Sequence, residues 1–186
     1  VVSNEEIARA CGVAPEWIRE HVGFVERRRA APDQASSDLG AEAARQALQR
    51  AGVAPESVDL VICVTVTPDH LFPSTAAIIA REIGARGAGA FDLQAGCAGF
   101  VYGVVLAAQS LASGFARRVL VVGTDVVSRL VDERDASVAP IFGDGAGAAV
   151  FGPSDGRQRL ESACLGSDGD GAGLLSLPGG GSRMPH

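Results

Sequence analysis

The chain alternates between short, nearly continuous apolar runs and longer segments in which apolar residues recur every three or four positions. The clearest run covers residues 60–66 and is rich in β-branched side chains, which indicates a strand buried on both faces. Similar runs predict further strands at residues 90–93, 119–123, 148–151 and 160–166. Such continuous apolarity is typical of a parallel sheet that is covered on both sides.

Helical periodicity occupies the intervals between these runs. It predicts helices at residues 5–11, 75–83 and 100–111, a short helix that begins near Pro15, and an amphipathic helix that ends near residue 51. Asn4 is the expected cap of the first helix, and Ser36, Ser37 or Asp38 is the expected cap of the amphipathic one. Strands that alternate with helices predict a layered α/β fold, in which helices cover a largely parallel central sheet.

Two stretches stand outside this alternation. Residues 26–29 are rich in arginine and are expected to form an exposed loop. The run 143–147 is rich in glycine and is expected to form a tight turn between packed elements. No Gly-Lys-Ser/Thr sequence follows that run and its spacing is not that of a dinucleotide fingerprint, so nucleotide binding is the less favoured interpretation.

Composition and charge narrow the class of protein. The 186 residues are 47 % hydrophobic and only 20 % charged, which is typical of a compact globular protein. A net charge of −6 argues against general nucleic-acid binding, and the longest apolar stretch, residues 100–112, is too short and too polar for a membrane span. The four cysteines lie far apart, so we expect neither a zinc site nor a disulfide framework, and we expect a cytoplasmic protein.

One cysteine has a setting that favours chemistry. Cys97 follows a predicted strand, is flanked by Gly96 and Gly99, and precedes the apolar helix at 100–111, which indicates a sharp turn into a buried helix. Backbone N–H groups of the first helical turn are expected to face the sulfur and to favour its thiolate form. The competing interpretation is a small buried hydrophobic residue, which describes most free cysteines and is preferred here for Cys63.

The sequence does not identify a histidine partner for Cys97. A cysteine that attacks acyl groups usually needs a histidine as a base or as an oxyanion donor. His70 follows a buried strand and could approach a site at the strand ends, whereas His21 lies in a charged helix and is expected at the surface. His186 is the last residue of the chain.

Eight short motifs occur along the chain in a fixed order. They are Glu16-Trp17-Ile18, Glu26-Arg27-Arg28, Ala31-Pro32-Asp33, Ser36-Ser37-Asp38-Leu39, Phe72-Pro73-Ser74-Thr75-Ala76, Ala90-Phe91-Asp92-Leu93, Gly96-Cys97-Ala98-Gly99-Phe100 and Phe142-Gly143-Asp144-Gly145-Ala146-Gly147-Ala148. Together they closely resemble the N-terminal half of β-ketoacyl-acyl-carrier-protein synthase III, a condensing enzyme. The resemblance implies a thiolase-like layered α/β fold, with residues 1–186 as the N-terminal half of an αβαβα sandwich that has a mostly parallel mixed sheet.

The resemblance also implies roles for four residues. Cys97 corresponds to the nucleophile that accepts an acyl group, and Trp17 to the tryptophan that stacks on the adenine of CoA. Phe72 corresponds to the phenylalanine that reaches across a homodimer to close the acyl pocket of the other subunit. Val127 lies where the family lines that pocket with a larger leucine, and no metal or cofactor is implied.

The implied reaction begins with transfer of an acyl group from acyl-CoA, or from an acyl carrier protein, to Cys97. Decarboxylative condensation with malonyl-carrier protein then follows, in fatty acid or polyketide initiation. Two alternatives remain open, namely a related acyltransferase of secondary metabolism that works without decarboxylation, and a non-catalytic partner subunit of the same fold.

Departures from the family pattern concern the acyl donor and the parts of the family's fold and active site that the 186 residues contain. His21 replaces a CoA-binding arginine four residues after Trp17, and Ala136 replaces a second one, with Arg134 nearby but out of register. These replacements weaken the expected contacts to the phosphates of CoA, so an acyl group carried by a protein is an alternative to acyl-CoA. The family's first strand is expected to precede Val1, and its catalytic histidine and asparagine belong to a C-terminal half beyond residue 186.

Overall fold

The computed structural model describes residues 1–154, 156 and 159–185, and within them strands and helices alternate as the sequence predicts. The strands are β1 (Val2–Ser3), β2 (Glu26–Arg27), β3 (Leu60–Val64), β4 (Gly89–Leu93), β5 (Val119–Val126) and β6 (Asp144–Phe151). The helices of the α type are α1 (Asn4–Cys11), α2 (Pro15–His21), α3 (Ser36–Ala51), α4 (Thr75–Ile83) and α5 (Gly99–Ala112).

A mixed sheet of β4, β3, β5 and β6, in that order, forms the centre of the fold. β3 pairs in parallel with both β4 and β5, whereas β6 runs antiparallel to β5. The carboxyl ends of the three parallel strands therefore meet at one edge, and β6 begins there because Asp144 pairs with Val126. We call this the carboxyl edge; in open α/β sheets, ligands bind beyond such an edge.

Alternate residues of the central strands supply two separate cores. Val61 and Cys63 of β3 face the side covered by α3 and α4, together with Leu120 and Val122 of β5. The intervening residues face the side covered by α5, in a second cluster that includes Leu60, Ile62, Val64, Val119 and Val121. This alternation explains why the sequence of β3 is apolar at every position.

Helix α5 approaches the sheet closely through two glycines. A Cβ at Gly99 would overlap Cγ1 of Val64, and a Cβ at Gly103 would lie 2.8 Å from Cγ1 of Val121. The helix is less buried than the sequence predicts, because α5 buries only the face that carries these glycines, Val105 and Ala107. Its other face leaves Phe100 and Val101 exposed by 38 % and 53 %.

The N-terminal helices form a third unit around Ile7, Ala8, Ile18 and Ala139. Ser3, and not Asn4, caps α1: its hydroxyl accepts from the N–H of Glu6, whose carboxylate accepts from the N–H of Ser3. Asn4 is instead buried, and its side chain joins the carbonyl of Phe24 to the guanidinium of Arg27.

Three other sequence-based predictions were wrong. Arg27 is not in an exposed loop: it is buried in β2, and its guanidinium donates to the carbonyl of Pro140. Ser36 and Ser37 are buried within the first turn of α3, whose cap is Ala35. The glycine-rich run 143–147 is not a turn, because its residues from Asp144 onward extend β6 along the whole of β5.

The last part of the chain has little regular structure among its described residues. The strand predicted at residues 160–166 does not form: this stretch is exposed and has no strand partner. Beyond it, one 3₁₀ turn at Gly169–Gly171 and a bridge between Gly181 and Met184 interrupt a loop, as expected from its glycine content. No helix in the described ranges combines the length and apolarity needed to cross a membrane.

Candidate active site

Cys97 lies at the carboxyl edge, in the short connection between β4 and α5. Gly96–Ala98 form one 3₁₀ turn that passes directly into α5 at Gly99. Gly96 has φ of 55°, a left-handed conformation that favours glycine, and this makes the sharp turn after β4 possible. The thiol is exposed, as a nucleophile that must meet a substrate requires.

The close approach of α5 to the sheet fixes the position of this turn. Gly99 is only two residues after Cys97, and its contact with Val64 holds the first turn of α5 against the end of β3. The first N–H groups of an α-helix lack intrahelical acceptors and carry partial positive charge, so they favour an anion near them. The turn therefore combines an exposed thiol with the start of a 14-residue helix.

The other described cysteines have different surroundings. Burial in β3 raises the pKa of the Cys63 thiol, and the carboxylates of Asp92 and Asp125 raise it further. The thiol of Cys11 contacts the carbonyl oxygen of Glu133 at 3.1 Å, and partial burial raises its pKa. Cys164 is exposed, but it lies in the irregular stretch after β6.

Phe72 and Val127 lie in the other connections at the carboxyl edge. Phe72 belongs to the loop of residues 66–74 that links β3 to α4, and it is 85 % exposed. Val127 is half-buried and begins a 3₁₀ turn immediately after β5. The topology thus places Cys97, Phe72 and Val127 after β4, β3 and β5, which are neighbouring parallel strands.

Three aspartates of the strands hold the connections at this edge, and none of them was predicted as a site residue. Asp125 accepts from the backbone N–H groups of Val66 and Thr67, at 2.8 and 3.1 Å. Asp92 accepts from the N–H groups of Thr75 and Ala76, each at 2.7 Å. The signal available in the sequence was a polar residue at the end of an apolar strand. This signal does not reveal the hydrogen-bond partners, which lie 16 to 59 residues away.

Asp144 is the third of these aspartates, at the start of β6. Its carboxylate accepts from the N–H and hydroxyl of Ser128, next to Val127, and from the N–H of Ala30. Arg129 donates to three carbonyl oxygens of the same upstream segment, those of Ala31, Pro32 and Gln34. The connection after β5 is therefore fixed to the segment between β2 and α3.

Trp17 lies in the N-terminal unit rather than at the carboxyl edge. Its indole stacks on the imidazole of His21, with ring centroids 4.5 Å apart and ring planes 19° from parallel. The Nδ1 of His21 donates to the carbonyl oxygen of Trp17 at 2.9 Å. Trp17 remains 38 % exposed, so part of its ring is open to a flat ligand.

The segment that contains Arg134 and Ala136 lies beside these helices. Ala139 and Val131 pack with Ile18, the residue that follows Trp17. Arg134 is paired with Asp132 through two hydrogen bonds, of 3.1 and 3.0 Å. The cation that this segment offers near the predicted CoA surface is therefore paired with a carboxylate, in an exposed surface ion pair.

The histidines do not complete the cysteine site. His70 is exposed and lines an open cleft beside α3 and α4 with Ser37 and Arg81. His21 is held against Trp17, and His186 lies outside the described residues. Among the described residues, no three His, Cys, Asp or Glu side chains converge on a potential metal position.

Comparison with known proteins relates this fold to thiolase-fold enzymes. A crystal structure of β-ketoacyl-[acyl carrier protein] synthase III from Thermus thermophilus superposes with a TM-score of 0.90 at 40 % identity, over 94 % of this chain and 54 % of that one. The priming β-ketosynthase of the R1128 polyketide pathway superposes with a TM-score of 0.81 at 45 % identity, over 83 % of this chain and 46 % of that one. The chain is thus an α/β protein of the thiolase fold.

Sequence comparison defines the family. Residues 91–169 match the model for 3-oxoacyl-[acyl-carrier-protein (ACP)] synthase III. The whole chain is 48 % identical to the β-ketoacyl-[acyl-carrier-protein] synthase III of Symbiobacterium thermophilum, and 43 % identical to that of Caldanaerobacter subterraneus. The chain belongs to the β-ketoacyl-[acyl-carrier-protein] synthase III family, which confirms the resemblance found in its motifs. It spans about half of these relatives, 56 % of each.

Proposed function

We propose that the protein is an acyltransferase of the β-ketoacyl-acyl-carrier-protein synthase III type, with Cys97 as its acyl acceptor. The observation that carries the proposal is the turn between β4 and α5, where an exposed thiol lies at the start of a 14-residue helix at the carboxyl edge. Relatives at 43–48 % identity over the whole chain carry the name of this activity. The priming ketosynthase among the structural relatives supports polyketide initiation as well as fatty acid initiation.

The first step is a thioester exchange. The Cys97 thiolate attacks the carbonyl carbon of an acyl thioester, and the negative charge moves to the carbonyl oxygen, where backbone N–H groups of the turn are suited to receive it. The bond from carbon to the donor's sulfur then breaks, and the donor leaves as a thiolate that takes up a proton. The acyl group is now bound to Cys97.

The second step is a decarboxylative condensation. A malonyl group on a carrier protein loses carbon dioxide, and the electron pair of the broken bond forms an enolate. The enolate carbon attacks the acyl carbonyl on Cys97, and the carbon–sulfur bond breaks to release the Cys97 thiolate and a β-ketoacyl-carrier product. We propose that the histidine and asparagine for this step belong to a C-terminal half, with residues 1–186 as the N-terminal half.

The surface around Trp17 supports a carrier protein as an acyl donor alongside acyl-CoA. Trp17 offers a ring for stacking, but two cationic partners of a CoA phosphate are replaced by His21 and Ala136. His21 is held against the indole, and Arg134 is paired with Asp132. With fewer cations than the family pattern supplies, we expect CoA binding to rely more on stacking against the indole than on charge.

An unpaired strand edge supports a homodimer. Within the described residues, β4 is the outer strand of the sheet and leaves one side of its backbone without a strand partner. Phe91 on β4 is 40 % exposed, and Leu71 and Phe72 in the neighbouring loop are 83 % and 85 % exposed. An open edge with apolar neighbours is suited to pairing with a second copy, in which Phe72 would close the partner's acyl pocket. Free cysteines in the structure fit a cytoplasmic location.

Product formation tests this function. The intact protein is supplied with an acyl thioester and malonyl-carrier protein, and the β-ketoacyl product and carbon dioxide are quantified. We expect equal amounts of both from the wild type, none of the condensed product from Cys97→Ala, and unchanged activity from Cys164→Ala, which removes another exposed thiol. An acyl transfer without release of carbon dioxide would replace condensation with the related acyltransferase function. Equal activity of Cys97→Ala and the wild type would overturn the proposal.

A further inference from the structure

The loop of residues 66–74 is fixed at both ends, although its tip is exposed. Leu71 and Phe72 protrude into solvent at 83 % and 85 % exposure. Residues at both ends of the loop are buried or half-buried: Thr65 is 4 % exposed and Thr75 is fully buried. Between the ends, the carboxylate of Asp69 accepts from the N–H and the hydroxyl of Ser37 in α3. The tip is therefore held by the loop's ends together with this contact to α3.

Asp125 fixes the beginning of the loop. Its Oδ1 accepts four hydrogen bonds, from the hydroxyls of Thr65 and Thr67 and from the N–H groups of Val66 and Thr67. The hydroxyl of Thr67 also accepts from the N–H of Val126 at 2.9 Å. The start of the Phe72 loop is thereby tied to the end of β5, one residue before Val127.

Asp92 fixes the end of the loop. Its Oδ2 accepts from the N–H of Thr75 and its Oδ1 from the N–H of Ala76, both at 2.7 Å. Asp92 lies on β4 five residues before Cys97, so its carboxylate joins the strand that leads to Cys97 to the first turn of α4. Charge-assisted bonds to backbone N–H groups are among the stronger hydrogen bonds in proteins.

We propose that Asp92 and Asp125 are positioning residues that hold the Phe72 loop at the carboxyl edge, and thereby set the acyl-chain preference of the pocket that Phe72 closes in the partner subunit. The inference rests on the proposed function, since it requires that an acyl group binds at Cys97. The two aspartates act through backbone N–H groups and, for Asp125, through the hydroxyls of Thr65 and Thr67, so neither aspartate needs to touch the acyl group. Displacement of a site group by about 1 Å is enough to change rates up to 100-fold.

The two aspartates differ in how they use their oxygens, and this difference gives matched variants. All four donors of Asp125 reach Oδ1, which asparagine retains, so Asp125→Asn keeps the acceptor while Asp125→Ala removes it. Both oxygens of Asp92 are used, so Asp92→Asn places an amide NH₂ against a backbone N–H. We therefore expect rescue by asparagine at position 125 and none at position 92.

Asp59 provides a control for a purely structural effect. Its Oδ2 accepts from the N–H groups of Arg117 and Arg118, at 2.7 and 2.8 Å, at the opposite edge of the same sheet. Asp59→Ala therefore removes a similar pair of backbone bonds far from the carboxyl edge. It is expected to lower stability without changing the acyl-chain preference.

The test measures rates of Cys97 acylation in the intact protein with thioesters of short and long straight acyl chains. Each variant is assayed at a temperature where circular dichroism shows it folded. We expect Asp125→Ala, Asp92→Ala and Asp92→Asn to change the ratio of long-chain to short-chain rates by about fivefold or more. Asp125→Asn and Asp59→Ala are expected to keep the wild-type ratio within about twofold.

Each outcome separates the inference from the function on which it rests. A wild type that is not acylated at Cys97 by any thioester contradicts the proposed function, and the inference with it. A wild type that is acylated, with unchanged ratios in the folded alanine variants or an equal shift in Asp59→Ala, overturns the inference alone. If Asp125→Ala does not fold, Thr65→Val is used instead, because it removes one of the four donors to Asp125. In this variant, hydrogen exchange at the N–H groups of Val66 and Thr67 must increase. The ratio of long-chain to short-chain rates must shift as well, by less than in the alanine variants.

Discussion

The two faces of the central sheet are made from the same strands but differ in how completely they are covered. On one face, α3 and α4 enclose Val61, Cys63, Leu120 and Val122, all of which are fully buried. On the other face, α5 is the single helix of the described residues that packs against the strands, and Phe100 and Val101 remain exposed. The candidate nucleophile lies at the start of the helix on the less covered face.

One face of the sheet thus supports the strands, and the other face carries the candidate site. The face of α3 and α4 fixes the strands, and the strands fix the three connections at the carboxyl edge. The face of α5 brings an exposed thiol to that edge through glycines rather than through large side chains. Functional groups are commonly placed on connections that a rigid scaffold positions. We therefore expect substitutions on the face of α3 and α4 to have large effects on stability, and substitutions on the face of α5 to affect the candidate site.

The largest effect should follow from a cavity on the α3 and α4 face. Ile79 in α4 is fully buried, so Ile79→Ala should lower the free energy of unfolding by about 2–5 kcal/mol, measured by urea denaturation. Leu106 in α5 is half-buried, so Leu106→Ala should cost only about 1–2 kcal/mol. Equal losses at the two positions would contradict the difference between the faces.

The next effect concerns the close approach of α5. Gly99→Ala places a Cβ on Cγ1 of Val64, a β-branched side chain with little freedom to move, and should cost about 1–3 kcal/mol. Because Gly99 is two residues from Cys97, the rate of Cys97 alkylation by iodoacetamide should also change. Gly145→Ala, where a Cβ has nothing within 4 Å, is the control. A normal melting temperature and alkylation rate in Gly99→Ala would show that the close approach of Gly99 to Val64 constrains neither α5 nor the Cys97 turn.

A smaller effect concerns stability in acid and arises from Asp59, at the edge of the sheet opposite the carboxyl edge. Backbone N–H groups of Arg117 and Arg118 lower the pKa of Asp59. A carboxyl whose folded pKa is depressed stabilises the fold above its unfolded pKa, and this contribution is lost as the pH falls from about 4 through the folded value. Denaturation measured across this range should therefore show a shallower acid loss in Asp59→Asn than in the wild type. Identical acid profiles would contradict the assignment.

The smallest effect should come from the open face of α5. Val101 is 53 % exposed, whereas Val105, one turn later, is 7 % exposed. With the face open to solvent, Val101→Ser should change the free energy of unfolding by less than about 0.5 kcal/mol, and Val105→Ser by clearly more. A large loss from Val101→Ser in the intact protein would show that another part of the protein, or a second copy, covers this face.

Local signals made most helices and strands predictable. The helix Thr75–Ile83 was predicted at its observed limits, because Ser74 caps its start and Gly84 has the left-handed conformation that ends it. The candidate nucleophile was predictable for the same reason, since strand, glycines and helix are adjacent in sequence. Its role as acyl acceptor stays a prediction.

The predictions that were wrong depended on distant partners. The glycine-rich run forms a strand because its backbone pairs with β5, and glycine has no side chain that could give a strand signal in the sequence. Arg27 is buried because Pro140, 113 residues away, accepts from its guanidinium. Asp92 and Asp125 were missed as site residues because their partners lie in another connection or in the first turn of α4, distant in sequence.

Whether Cys97 accepts an acyl group is tested most directly by the mass of the protein after brief exposure to an acyl thioester, followed by peptide mapping. We expect one acyl group per chain, on the peptide that contains Cys97, and none in Cys97→Ala. We also expect that the peptides with Cys11, Cys63 and Cys164 stay unmodified. A protein that gains no acyl group from either acyl-CoA or acyl-carrier protein, or that gains it equally in Cys97→Ala, would contradict the account.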